Sequence, residues 1–233
     1  MFKKKILPII IFILLLTGLA YFPYIPLKLF NIDINRFSKS MTILYNFLCD
    51  IGYMIILFFL YKETLINDFK KFKKNYKDEF DLAFKYYFLG LTIMIISNLI
   101  ISIFFRSANA NNEEAIRSLI KLYPYYMFFS VSLYAPATEE LIFRKSIKDC
   151  IFAFKKNKFT KYLYIIISGG IFALLHVITM ITSPLDFLYI IPYLALGISF
   201  AALYVKSDNI FSSMIMHSMH NTIAILLYLM IGV

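Results

Sequence analysis

The sequence YLYIIISGGIFALLHVITMI, residues 162–181, is an apolar stretch of twenty residues that contains one histidine, His176. A helix of about twenty apolar residues is long enough to cross the hydrocarbon core of a bilayer. Ionisable side chains are costly inside such a helix and are therefore functional candidates wherever they occur. This stretch predicts both a membrane-spanning fold and a site that lies within the membrane.

The rest of the chain has the same character. Of its 233 residues, 61% are hydrophobic, and the mean hydropathy is +0.73, whereas a soluble domain has about 45–50% apolar residues. Further apolar windows occupy residues 6–22, 41–61, 86–105, 185–205 and 210–231. We expect an all-α, polytopic transmembrane helical bundle of about seven (six to eight) spans, with an uncleaved first span.

Lysines cluster between these windows, and the net charge is +10. The clusters lie at residues 3–5, 62–85 and 155–161. Basic loops remain on the cytoplasmic side, which predicts a cytoplasmic N-terminus in a cell membrane and external segments at residues 23–40, 106–119 and 182–184. Because topology and contact with anionic lipid account for the charge, we expect no nucleic-acid partner.

Residues 116–154 form a longer segment that is apolar at first and mixed after Pro136. Pro136 is expected to kink or restart the helix. Counting this segment as one crossing keeps every lysine cluster on the cytoplasmic side, so we prefer seven spans to eight.

We divide the chain into N-terminal helices, residues 1–105, and a catalytic core, residues 106–233.

Paired carboxylates follow the proline in the motif Glu139-Glu140-x-x-x-Arg144. Glu140 and Arg144 are four residues apart and share a helix face, so an ion pair between them lowers the cost of burying either charge. Glu139 points about 100° away. It is left free to face the interior of the bundle.

Two further motifs carry histidine. Phe172-x-x-x-His176 lies in the opening stretch, and His217-x-x-x-Asn221 lies in the last window. A histidine alone is more often a hydrogen-bonded core residue. At a rise of about 1.5 Å per residue, Glu139 lies roughly 24 Å and His176 roughly 22 Å from the lysine-rich loop at residues 155–161 that connects their helices. His217 and Asn221 lie roughly 12–18 Å from the turn at Lys206. The motifs can therefore converge within the bilayer.

The neighbouring residues are assigned secondary or structural roles. His220 lies about 60° from His217 around the helix and is expected to flank the site. Asp50, in the second window, is read as a hydrogen-bonded structural carboxylate. The pair Gly169 and Gly170 indicates close helix packing.

These residue types allow two kinds of hydrolytic chemistry. A carboxylate beside an imidazole can deprotonate water and later protonate a leaving amine, while a second imidazole with an amide N–H can stabilise an oxyanion. Alternatively, Glu139, His176 and His217 hold a divalent metal such as zinc that activates the water. The chain lacks H-E-x-x-H and G-x-S-x-G sequences, which argues against a zincin helix and a serine nucleophile.

The order E-E-x-x-x-R, F-x-x-x-H and H-x-x-x-N on successive helices resembles the CPBP intramembrane protease family, which includes type II CAAX prenyl endopeptidases and Abi bacteriocin-immunity proteins. The similarity covers roughly residues 110–231. It implies peptide-bond hydrolysis at or within the membrane, with Glu139 and His176 activating water and His217 and Asn221 forming an oxyanion hole or completing a metal site. A glycine often follows the motif arginine in the family, and Lys145 stands there in this chain.

The resemblance also implies supporting roles and a substrate class. Glu140 and Arg144 would hold their helix in place, with Phe172 beside the site. The lysine-, asparagine- and isoleucine-rich composition suggests a bacterium, where a membrane-associated peptide or protein is the expected substrate. Two other classes remain open: a non-catalytic bacteriocin self-immunity or scaffold protein, and a transporter, for which Asp50 is the best supporting residue.

Overall fold

The structure, a computed structural model, describes residues 2–105 and 110–231. The described residues are helical apart from short turns, and no β-strand occurs among them. The boundary that we predicted between residues 105 and 106 lies at the edge of the described part, and the beginning of the predicted external segment, residues 106–109, lies outside it.

Ten helices organise the described residues. They are α1 (Phe2–Tyr21), α2 (Tyr24–Leu29), α3 (Lys39–Leu60), α4 (Lys62–Lys74), α5 (Tyr76–Phe105), α6 (Asn111–Leu122), α7 (residues 124–152), α8 (Lys158–Ile178), α9 (Ile190–Ser207) and α10 (Ile210–Ile231). Short 3₁₀ turns, Ile34–Arg36 and Pro184–Tyr189, precede α3 and α9.

Five of these helices are long and apolar enough to cross a membrane: α3, α5, α8, α9 with its 3₁₀ turn, and α10. The apolar part of α1, Lys5–Tyr21, is shorter, and α7 is broken into segments of different helical pitch. The chain is thus a multi-pass helical membrane protein, as the sequence predicts. The count of seven spans stays a prediction.

Helix α7 lies at the centre of the bundle. Its middle residues, 140–144, are all buried, and they pack against side chains of α1, α3, α8, α9 and α10. Pro136 lies in the first turn of a short α-helical segment, Ala135–Glu139, within the continuous helix α7. The backbone widens into π-helical turns before and after this segment, at Ser130–Tyr134 and Glu140–Ser146. A proline is tolerated in a first turn because its missing N–H group is not needed there.

A buried carboxylate joins α3 to α7. Asp50 is 8% exposed, and its Oδ2 atom accepts hydrogen bonds from the hydroxyl groups of Tyr126, at 2.9 Å, and Ser130, at 3.4 Å. Hydrogen-bond donors are what a buried carboxylate requires. The structure therefore confirms that Asp50 is hydrogen-bonded, and its structural role stays a prediction.

The far end of α7 is joined to the turn between α9 and α10. Lys148 Nζ lies 2.5 Å from Asp208 Oδ1, and Asp208 adopts a positive φ of 50° in this turn. Burial opposes ionisation of Asp208, but the bonded Lys148 ammonium outweighs it and holds the pKa of Asp208 below its usual range. Asp68 of α4 accepts the N–H of Ile210 at 2.9 Å. These contacts fix where α10 begins relative to α7.

Helix α8 begins at a capping box and then makes a close contact with α9. The Asn157 side chain accepts the Thr160 N–H, and the Thr160 hydroxyl accepts the Asn157 N–H, each at 2.9 Å. A Cβ atom on Gly169 would lie 2.7 Å from the Ile198 backbone nitrogen, whereas one on Gly170 would meet nothing within 4 Å. Gly169 is the packing glycine, and the expectation that Gly170 shares this role is wrong.

This difference between adjacent glycines predicts different responses to alanine. In Gly169→Ala the new methyl group would push α8 away from the α9 backbone, and such overpacking costs about 1–3 kcal/mol. Gly170→Ala gains the same helix propensity without a clash, so it is the matched control. Thermal unfolding of both variants in detergent should show a loss of stability for Gly169→Ala alone. Equal stability of the two would contradict the close contact.

Candidate active site

The carboxylate of Glu139 lies between two histidines from different helices. Its Oε2 atom is 3.9 Å from Nε2 of His176, on α8, and 3.8 Å from Nε2 of His217, on α10. The structure thus brings together, at one point, three of the residues that the sequence singled out. Their catalytic roles remain predictions.

Each histidine is oriented through its other ring nitrogen. Nδ1 of His176 lies 2.9 Å from the backbone carbonyl oxygen of Phe172, and Nδ1 of His217 lies 3.0 Å from Oε1 of Glu140. Both partners are acceptors, so Nδ1 carries the proton and donates it in each case. In the neutral rings, both Nε2 atoms therefore present lone pairs toward Glu139.

The facing oxygen of Glu139 has no hydrogen-bond partner although it is buried. An ionised carboxylate and two imidazole lone pairs are all acceptors. Three acceptors stay close only when a proton, a water molecule or a cation lies among them. The site is therefore arranged to hold a small hydrogen-donating or cationic species between these three side chains.

A buried network beneath the site fixes Glu140. Arg144 Nε donates to Glu140 Oε2 at 3.1 Å, and both side chains are fully buried. Arg144 also donates to the Ser168 hydroxyl at 3.1 Å, and that hydroxyl donates to the Phe143 carbonyl at 2.7 Å. The ion pair predicted from the four-residue spacing is present. Ser168 is a member that the sequence did not indicate.

Aromatic rings enclose the imidazoles. The Phe172 ring centroid lies 4.2 Å from that of His176 and 5.7 Å from that of His217, and the Arg144 guanidinium lies 4.8 Å from the Phe172 centroid. Tyr193 packs on His176 at 4.9 Å and Phe200 stacks on His217 at 5.3 Å. Phe172 thus contacts both histidines and the arginine, which explains its spacing from His176.

The remaining predicted residues lie beside this group. The Asn221 amide donates to the backbone carbonyl of Val131 at 2.9 Å, so one of its two N–H groups is engaged within the protein. His220 lies 3.4 Å from the Tyr87 hydroxyl through Nδ1. The hydroxyl of Ser218 donates to the carbonyl of Ser132, a contact that sequence reasoning missed.

A cavity of about 400 Å³ opens onto the site. Glu139, His176, His217 and Asn221 line one part of it, and most of its other lining side chains are apolar or aromatic. Glu113 and Arg117 of α6 line another part. Because α5 runs about 45 Å between α4 and the segment that leads to α6, these two residues lie at the end of the bundle opposite the lysine-rich helix α4.

The metal hypothesis can be tested against this geometry. Within the ranges that the structure describes, no group of three or more histidine, cysteine, aspartate or glutamate side chains is placed to hold a metal ion. The donor atoms facing one another at Glu139 are nevertheless of the types that zinc binds, and the histidines are hydrogen-bonded as metal ligands are. Tetrahedral zinc sets ligand atoms about 3.3–3.6 Å apart. The distances of 3.9 and 3.8 Å from Glu139 to the two histidines are longer than this spacing, so a metal at this site stays a prediction.

The buried ion pair yields a stability prediction. Arg144→Ala leaves the Glu140 carboxylate buried without its cation, which costs about 3–5 kcal/mol of folding free energy. The adjacent Lys145→Ala removes a partly exposed pair with Asp149 and should cost about 1 kcal/mol or less. Folded yield and thermal unfolding in detergent measure both. Equal stability of Arg144→Ala and Lys145→Ala would show that the ion pair is not the support described here.

Comparison with known proteins identifies relatives of the same kind. Residues 121–223 match the family model "Type II CAAX prenyl endopeptidase Rce1-like". The chain is 29% identical over 186 residues to the putative membrane peptidase YdiL of Bacillus subtilis, covering 78% of this chain and 68% of that protein. It is 27% identical over 190 residues to the membrane-embedded CAAX protease MroQ of Staphylococcus aureus, covering 76% and 73% respectively. No solved structure matches the chain significantly.

The matched region runs from the end of α6 into α10 and contains all three motifs. Family and relatives together support a membrane protease. They do not test the metal, the oxyanion roles or the immunity function suggested by the sequence. With the motif geometry already described, they establish that residues 121–223, a little under half of the chain, are similar to the type II CAAX prenyl endopeptidases of the Rce1-like family.

Proposed function

We propose that this protein is an intramembrane endopeptidase in which Glu139 is the base that activates water. The observation that carries this proposal is the unpartnered Glu139 oxygen, which faces the Nε2 atoms of His176 and His217 where a cavity of about 400 Å³ reaches the bundle interior. A purely structural carboxylate is expected to have hydrogen-bond donors around it, as Asp50 has.

The proposed reaction uses the two histidines differently. A water molecule among the three side chains donates one hydrogen to Glu139 and the other to the lone pair of His176. Glu139 takes the proton as the water oxygen attacks the scissile carbonyl carbon, and it then gives that proton to the leaving amine. This sequence needs no covalent enzyme intermediate.

His217 is proposed to stabilise the negative charge that develops on the carbonyl oxygen. Its Nδ1 atom lies 3.0 Å from the buried Glu140 carboxylate, which can balance a positive charge on the ring when Nε2 takes up a proton during the reaction. In that form Nε2 becomes a hydrogen-bond donor to the oxyanion. The N–H of Asn221 that does not contact Val131 is the second proposed donor, because an amide NH₂ group has two hydrogens.

A divalent metal is the proposed alternative to direct activation. Glu139, His176 and His217 would hold it, and a bound zinc ion would lower the pKa of a water ligand and polarise the substrate carbonyl. In either case the Phe172 carbonyl and Glu140 keep the two imidazoles in the same tautomer.

The cavity indicates the kind of substrate. Its largely apolar and aromatic lining suits a hydrophobic segment of a membrane-associated peptide or protein, and the names of the relatives point the same way. If the lysine-rich segments are cytoplasmic, as their charge predicts, the α6 end of the cavity faces the external leaflet. We propose substrate access from that side.

The test is cleavage of a panel of internally quenched membrane peptides, CAAX-type sequences included, by purified protein in detergent. Glu139→Gln keeps the shape of the side chain but removes the base, and we expect a loss of at least about 10³-fold in rate, since general base and metal-ligand roles both depend on it. His220→Ala is the matched control within the same cavity and should lose little. Treatment with a chelator separates the two routes. If a bound metal activates the water, the chelator should inhibit cleavage and added zinc should restore it; if Glu139 activates the water directly, cleavage should be unaffected.

Cleavage retained in Glu139→Gln would overturn the role of Glu139. Cleavage lost in His220→Ala alone would show that the wrong histidine was chosen. Folded wild-type protein that cleaves nothing in the panel, while binding a peptide partner, would favour the immunity or scaffold function instead.

A further inference from the structure

Two consecutive backbone carbonyl groups in α7 accept hydrogen bonds from side chains of α10. The Ser218 hydroxyl donates to the carbonyl of Ser132, and the Asn221 amide donates to the carbonyl of Val131 at 2.9 Å. Ser132 is 1% exposed. Side-chain donors at consecutive carbonyls in the middle of a helix require an explanation, because an intact helix satisfies those groups itself.

Pro136 supplies the explanation. In α-helical spacing, the carbonyl of residue 132 bonds to the N–H of residue 136. In π-helical spacing, the carbonyl of residue 131 does so. The preceding N–H, that of Ala135, is already committed to the carbonyl of Ser130 in the π-helical turn. Since proline has no N–H, both registers leave a carbonyl without a donor at this point.

An unsatisfied carbonyl inside a membrane protein is costly, and neighbouring side chains commonly satisfy the groups that a proline frees. The two donors here sit one and four residues after His217, on the helix that carries it. The two acceptors sit a few residues before Glu139, on the helix that carries that carboxylate. The contacts therefore connect the two helices whose active-site atoms are 3.8 Å apart.

We propose that Ser218 and Asn221 are positioning residues: they bond the carbonyl groups of residues 132 and 131, of which Pro136 leaves one without its helix donor, and they thereby set the distance between Glu139 and His217. Sequence analysis predicts an oxyanion or metal-site role for Asn221 and no role for Ser218. Ser218 is not a nucleophile in this arrangement, because its hydrogen is directed to a backbone oxygen of α7 and away from an imidazole. The inference rests on the geometry of the two helices and holds whether or not the proposed reaction is correct.

The decisive test restores the missing donor. Pro136→Ala introduces an N–H that can bond to Ser132 in α spacing or to Val131 in π spacing, so it makes one of the two side-chain donors redundant. In the parent protein, Ser218→Ala and Asn221→Ala should each lower the Tm by about 4 °C, the loss expected for one unsatisfied buried carbonyl in a chain of this length. In the Pro136→Ala background, at least one of these losses should fall below about 2 °C.

A matched control lies on the same helix. The Ser212 hydroxyl is buried and donates to Glu79 of α5 at 2.6 Å, so Ser212→Ala removes a buried serine bond that has no connection with Pro136. Its effect on Tm should be the same in both backgrounds. Ser218→Thr keeps the hydroxyl group and should behave like the parent protein in both.

The positioning role has a separate readout in the histidines. The chain contains three histidines, so selective ¹⁵N labelling in detergent micelles gives a spectrum simple enough to follow each ring. Ser218→Ala should move the Nε2 resonances of His176 and His217, Ser218→Thr should return them to their parent positions, and Ser212→Ala should leave them in place. This measurement needs no substrate, so it is independent of the proposed cleavage.

Two results would overturn the inference. One is that Ser218→Ala and Asn221→Ala each lower the Tm as much in the Pro136→Ala background as in the parent protein. That result would mean that these side chains do not replace the missing N–H group of the proline. The other is unchanged histidine resonances in a folded Ser218→Ala variant, which would leave Ser218 a purely structural residue.

Discussion

The constraint on which this structure depends is the lack of water in the bilayer core, where every polar group must find its partner within the protein. Three kinds of polar group at helix α7 are paired within the protein. The charges of Glu140 and Arg144 are paired and fully buried, the Asp50 carboxylate accepts two hydroxyl groups, and the carbonyl groups near Pro136 accept bonds from α10. These carboxylates and carbonyl groups of the bundle are thereby paired, whereas Ser132 Oγ and Arg144 Nη2 of α7 are buried without a hydrogen-bond partner.

Beside the paired carboxylates of Glu140 and Asp50, the Glu139 oxygen is an exception. It is buried and unpartnered, and the imidazole nitrogens nearest to it present lone pairs because their other nitrogens donate to Phe172 and Glu140. An arrangement of facing acceptors is unfavourable unless it holds a proton, a water molecule or a cation. The fold maintains it through the buried network below, so the site is set up for a small reactant before any substrate arrives.

Much of this arrangement follows from sequence spacing. Long apolar windows predict the helical membrane fold, and the interval of four residues predicts the pairing of Glu140 with Arg144 because such positions share a helix face. Counting helical rise brings His176 to the height of Glu139. Residue types alone, carboxylate and imidazole within the membrane, indicate hydrolytic chemistry.

Other features depend on contacts that spacing does not encode. Gly169 and Gly170 look alike in sequence, but only the rotation of α8 against α9 decides which one meets the backbone of Ile198. Pro136 predicts a kink or a restart of its helix, but not the π-helical turns that lie on either side of the short α-helical segment Ala135–Glu139. The role of Ser218 was equally invisible, although a proline within a buried apolar helix is a signal that neighbouring helices will supply donors.

The account stands on the claim that Glu139 is the group that activates water for hydrolysis. The most direct measurement is single-turnover cleavage of one peptide substrate by wild-type protein and Glu139→Gln, both reconstituted in liposomes and shown to be equally folded. The account predicts substrate that is bound by both proteins but cut only by the wild type. Cleavage at comparable rates by the two would contradict it.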